Sequence, residues 1–143
     1  MMLTIEVASR IVDAALAEGV LRGFQPLCVV VLDAGAHAVA LKRGDGASIY
    51  RPEIATAKAA GCLGMGFGGR EIARRAAATP GFIAALNGIF PKGILPVPGG
   101  VLIRNSDGVL LGAVGISGDT SDNDELAAVA GIPAAGLVAE TGA

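Results

Sequence analysis

The chain has 143 residues, 52% of them hydrophobic and 17% charged, with a formal net charge of −2. That length makes a single domain, residues 1–143, able to bury its own core without disulfide or metal, while the low charge leaves a surplus of apolar side chains that reads as subunit interface in a homo-oligomer, dimer or higher. No basic face is implied for nucleic acid or anionic lipid, no apolar run reaches the ~20 residues of a membrane span, and MMLTIEVASR lacks the order of a signal peptide, so the expected address is cytoplasmic.

Val7, Ile11, Ala14, Ala15 and Leu21 follow helical spacing from Thr4 to about Leu21, with Thr4 as N-cap and Glu6 in the first turn. Leu27 to Leu32 is a continuous apolar run of the kind found in a central strand covered on both faces. Asp33-Ala34-Gly35-Ala36 is a turn, and His37 to Lys42 alternates as a hairpin partner ending in the charged loop Arg43-Gly44-Asp45-Gly46. Pro52 opens a second helix through Cys62, which Gly61, Gly64, Gly66, Gly68 and Gly69 are expected to stop and turn into a mobile connector. Arg70 to Ala78 is a third helix, ended by Thr79-Pro80-Gly81, and Phe82 to Phe90 adds one helical turn or two.

A proline-pinned loop, Pro91 to Gly100, delivers the chain into a second hairpin. Val101 to Ile103 and Val109 to Ile116 are its strands, and Asn105-Ser106-Asp107-Gly108 its turn. Gly112 and Gly115 interrupt the second strand, where a missing side chain implies close approach of a packed helix, a partner subunit or a flat ligand. Asp122 as N-cap with Glu125 three residues on resembles a capping box for a last helix through Ala130, broken by Gly131-Ile132-Pro133 before a short tail. The expected fold class is α+β, an antiparallel sheet of about five strands flanked by helices in the order α-β-β-α-α-β-β-α.

Several of these segments, in this order, resemble the GlcG/HbpS family of small α+β proteins associated with haem binding or degradation and related to the C-terminal domain of some cobalamin adenosyltransferases. They are Val29 to Gly35 leading to His37; Arg43 with Asp45-Gly46-Ala47; Ile54 to Ala59; Pro80-Gly81-Phe82; Pro98 to Val101; and Gly112 to Gly118 followed by Asp122, Asp124 and Glu125. The resemblance spans almost the whole chain and departs from the family at the glycine-rich 61–69 segment. It implies a sheet flanked by helices, oligomeric assembly and pockets near subunit boundaries. Its implied function is binding of haem or a related planar tetrapyrrole, with degradation or sequestration as extensions.

His37 is the sole histidine, hence the one conventional imidazole ligand or base near neutral pH. If the ligand is haem, His37 and Arg43 are the lead contacts, His37 as one candidate axial ligand with Tyr50, Met65 or a cysteine thiolate as substitutes, and Gly112, Gly115 and Pro98-Gly99-Gly100 offer a flat surface for the macrocycle. Arg43, Asp45, Tyr50, Arg51, Glu53 and Lys58 gather before and along one helix. There an arginine fork can hold a carboxylate or a haem propionate, and a glutamate or desolvated lysine can move a proton. The same set supports an alternative: a cofactor-free enzyme acting on a small organic acid in a catabolic pathway, with His37, Glu53 and Lys58 as catalytic groups and Arg43, Tyr50, Arg51, Gly99, Gly100 and Gly115 as binding residues. An ordinary charged helix start explains the set equally well. Asp119, Asp122, Asp124 and Glu125 match no calcium loop, and Cys28 and Cys62 have no CxxC spacing, so no metal site is assigned.

Overall fold

The computed structural model describes residues 2–143. Five strands form one antiparallel sheet in the order β2-β1-β4-β3-β5, with β1 Cys28–Asp33, β2 Ala38–Arg43, β3 Gly100–Arg104, β4 Leu110–Ser117 and β5 Val138–Glu140. The α+β class and the antiparallel sheet match the sequence reading. β1 explains the arrangement best. Cys28, Val30 and Leu32 point into one core and Val29 and Val31 into the other, all fully buried, so helices must cover both faces. Full burial of each such aliphatic side chain is worth about 1.5–3 kcal/mol, which holds β1 at the centre of the molecule.

One layer is α1 (Ile5–Arg22) and α5 (Ser121–Ala134); the other is α2 (Arg51–Met65), α3 (Gly69–Ala78) and α4 (Pro80–Ala85), the last followed by a 3-10 turn at Leu86–Gly88. Thr4 caps α1 by accepting the Val7 amide at 3.2 Å, and Gly23, at φ 71°, closes it. The β3–β4 turn is fixed by Asn105, whose side-chain oxygen accepts from the amides of Asp107 and Val109 at 3.0 and 2.9 Å.

Three local expectations are corrected. Gly61 and Gly64 lie inside α2, which runs on to Met65 and is closed by Gly66 at φ 78°. A β-carbon at position 61 would lie 2.7 Å from Ile94 Cγ1, and one at 64 would lie 2.7 Å from Phe90 Cε2. The glycines therefore serve close packing of the 90–94 loop rather than termination. The last helix is capped by Thr120, which accepts the Asn123 amide at 3.2 Å, not by Asp122, and it continues through Gly131 and Pro133 to Ala134. Gly131 admits the backbone of α1, since a β-carbon there would meet the Ile11 carbonyl oxygen at 2.8 Å. Finally, the tail carries β5, which pairs Leu102 with Glu140, Ile103 with Ala139 and Arg104 with Val138.

Candidate functional site

His37 closes the β1–β2 turn. Asp33 builds that turn: its Oδ1 accepts from the Gly35 amide at 3.0 Å and the His37 amide at 2.9 Å, and its own amide donates to the His37 carbonyl at 2.9 Å. Those bonds, the His37 amide foremost, hold the Asp33 carboxyl below its usual range. His37 Nδ1 faces Asp33 Oδ1 at 3.5 Å, which leaves Nε2 as the outward nitrogen of a side chain that is 79% exposed. The turn and His37 form one wall of a groove of about 430 Å³ whose remaining lining is Ala60, Leu63 and Gly64 of α2 and Phe90, Pro91 and Lys92 of the following loop. Apart from His37 and Lys92 the lining is aliphatic, aromatic or glycine. Pro91 and Lys92 also line an adjoining groove of about 340 Å³ with Pro52, Glu53 and Thr56, so Glu53 lies along the same surface as His37.

Arg43, Tyr50 and Arg51 lie elsewhere. Arg43 is six residues beyond His37, about 20 Å along an extended strand, and is paired in register with Cys28, which also faces Ser117. Arg43 Nη1 donates to the Ala47 carbonyl at 3.0 Å. Arg51 donates through Nε to Ser48 Oγ at 3.1 Å and through Nη1 to Ser117 Oγ at 2.9 Å, and Tyr50 stands exposed at the start of α2. Among the described residues neither Arg43 nor Arg51 has a carboxylate partner.

Lys58 lines neither groove. It is 4% exposed, and its ammonium donates to the Ile116 carbonyl at 2.9 Å and to Asp124 Oδ2 at 3.0 Å, with Asp124 itself 1% exposed. Asp124 Oδ1 accepts the Asp119 amide at 3.0 Å. Burial pushes the Asp124 carboxyl up, and the charge of Lys58 opposes that push. This ion pair, between residues 66 positions apart, ties α2 to α5 and to the end of β4. It escaped the sequence reading because neither partner has a local signal for the other.

Gly99, Gly100 and Gly115 receive α2. A β-carbon at 115 would lie 1.9 Å from the Ala55 carbonyl oxygen, one at 100 would lie 2.5 Å from that of Lys58, and one at 99 would lie 2.9 Å from Lys58 Nζ. Of the three occupants considered for the notch at Gly115, the packed helix fills it.

The acids at 119–125 diverge. Asp119 accepts the Gln25 amide at 2.7 Å, Asp122 and Glu125 accept from Arg70 at 2.9 and 2.8 Å, and Asp124 turns inward to Lys58. Among the described residues no three His, Cys, Asp or Glu side chains converge on a point. Desolvation raises the Cys28 thiol to about 11 and the Cys62 thiol to about 12, so both are neutral near pH 7 and poor as nucleophiles or thiolate ligands.

A five-stranded antiparallel sheet covered by helices on both faces, with an imidazole at the rim of an apolar groove, defines an α+β protein with a candidate ligand site. Comparison of the sequence is more specific: the family profile described as "Haem degrading protein HbpS-like" matches residues 3–133, and the chain belongs to that family. The crystal structure of HbpS is 30% identical, with 92% of this chain and 88% of that one covered and a TM-score of 0.78. A double mutant of Streptomyces reticuli HbpS superposes at 0.79 with 28% identity over 93% and 86% of the two chains. The crystal structure of the PduOC–haem complex shares the fold at a TM-score of 0.85, with 22% identity over 96% and 98%. A search of the curated proteins finds no match. None of the described helices is long and apolar enough to cross a membrane.

Proposed function

We propose that this protein binds haem, or a related planar tetrapyrrole, in the groove beside His37. The observation that carries the reading is the imidazole itself, the chain's one histidine, with Nδ1 turned to Asp33 and Nε2 outward at the rim of an apolar groove. These residues fit such a group: His37 Nε2 is the nitrogen that would hold the iron, the Asp33 carboxylate stands 3.5 Å from Nδ1 on the other side of the ring, and Leu63 and Phe90 supply apolar surface for the macrocycle. Bound haem would supply redox chemistry at its iron, while the protein's part is orientation and partial exclusion of water. Membership of a haem-degrading family supports the choice of ligand. The reading takes the working form to be a cytoplasmic homo-oligomer, supported by the sparse charge and by exposed Leu41, Ile49, Tyr50 and Ile89.

Titration of the purified protein with haem, followed through the Soret band, tests it. Wild type is expected to give a saturable, shifted band, and His37→Ala to shift the band again and weaken binding. Absence of saturable change in wild type contradicts the proposal.

A second reading rests on Arg43 and Arg51, guanidinium groups without carboxylate partners among the described residues, Arg51 being bonded to Ser48 and Ser117: a small organic acid held there by arginine, with Glu53, two residues on from Arg51 in α2, taking a proton. In that case a small carboxylate raises the melting temperature of wild type but not of Arg43→Ala.

A further inference from the structure

Lys92 is the one lysine of the three for which no carboxylate lies within ion-pair distance among the described residues, since Lys42 pairs with Asp13 and Lys58 with Asp124. Its ammonium donates instead to the carbonyl oxygen of Ala36, a neutral acceptor, and its other two N–H groups have no protein partner among those residues. Ala36 is the one described non-glycine residue in the left-handed region, at φ 66°, so the turn that carries His37 also presents the carbonyl that Lys92 uses. The groove that Lys92 and His37 share is otherwise uncharged. Two acids flank it: Asp33 beneath the turn, tied to the Gly35 and His37 amides, and Glu53, which lines the adjoining groove and disfavours an anion on that side of Lys92.

We propose that Lys92 is the anion contact of the groove, taking a carboxylate carried by a planar apolar ligand whose body lies against Leu63 and Phe90. The inference rests on the haem reading and narrows it: the ligand is a tetrapyrrole that bears a free acid group, held at one edge by Lys92 as His37 holds its centre. The ammonium's present partner is a neutral carbonyl, and a carboxylate would add direct charge–charge attraction to the hydrogen bond, so ligand binding exchanges one partner for the other without leaving a charge unsatisfied.

The test compares haem with haem dimethyl ester, which has the same ring and iron but no carboxylate, on wild type, Lys92→Ala and Lys92→Arg. Wild type is expected to bind the free acid more tightly than the ester. Lys92→Ala should weaken the free acid about three- to tenfold and leave the ester unchanged, so that the preference collapses, and Lys92→Arg should keep most of it. Equal losses for acid and ester, or no loss for either, overturn the role of Lys92 while haem binding stands. Failure of wild type to bind either porphyrin saturably overturns both.

Discussion

Among the described residues Lys58 and Asp124 form the one ion pair whose two side chains are both buried. The Lys58 ammonium and the Asp124 carboxylate satisfy one another in the interior, together with the Ile116 carbonyl and the Asp119 amide. Removing one partner strands the other as a buried charge, so Lys58→Met is expected to cost about 3–5 kcal/mol at neutral pH in denaturant unfolding, and a joint Lys58→Met, Asp124→Leu variant to recover most of that. The pH dependence follows from the direction of the Asp124 shift. A carboxyl raised in the folded state is no burden below its unfolded value of about 3.9, and the cost appears as pH climbs from there toward the folded value. The penalty of Lys58→Met should therefore be small in acid and grow toward neutrality; a penalty that grows in acid contradicts the pairing. Lys58 was legible in the sequence as a charged residue on a helix near polar company. Its partner was not, because burial and long-range contact decide what a lysine does, and neither is local. His37 was legible as a candidate by composition alone, a single imidazole beside a turn, whereas the groove it borders is formed by α2 and the 90–92 loop, which carry no local signal of one another.

At the scale of elements, α2 organises the site. Its small residues bring it onto β3 and β4, and the same side of the helix that forms the groove lacks a side chain at Gly64 so that the Phe90 ring can lie against it. Gly64→Ala adds a better helix former, worth up to about 1 kcal/mol in an open helix, while forcing the Phe90 ring to swing. The expected outcome is a melting temperature near that of wild type with weaker haem binding, checked by calorimetry beside the Soret titration; unchanged affinity would show that Phe90 does not shape the ligand surface. Gly61 and Gly64 look like stop signals because glycine ends helices as often as it admits neighbours, and the sequence does not say which neighbour arrives. The two hairpins were readable from apolar runs flanking turn residues. β5 was not, since Val138-Ala139-Glu140 is too short to display alternation and exists by pairing with β3.

At the scale of the whole molecule, helices cover both faces of the sheet, yet several large apolar side chains stay exposed, among them Leu41, Ile49, Tyr50, Val109 and Val138. With so few charges to keep copies apart, sedimentation velocity is expected to give a mass that is a multiple of 14.1 kDa. A lone protomer at micromolar concentration contradicts the interface reading. The central claim is one of place: the ligand lies at the His37 end of β2 and not at the Arg43 end, about 20 Å away. An anomalous difference map at the iron edge from crystals of the haem complex tests it most directly. The account predicts a single iron peak at bonding distance from His37 Nε2, beside Phe90 and Lys92; a peak next to Arg43 and Arg51, or one with His37 unliganded, contradicts it.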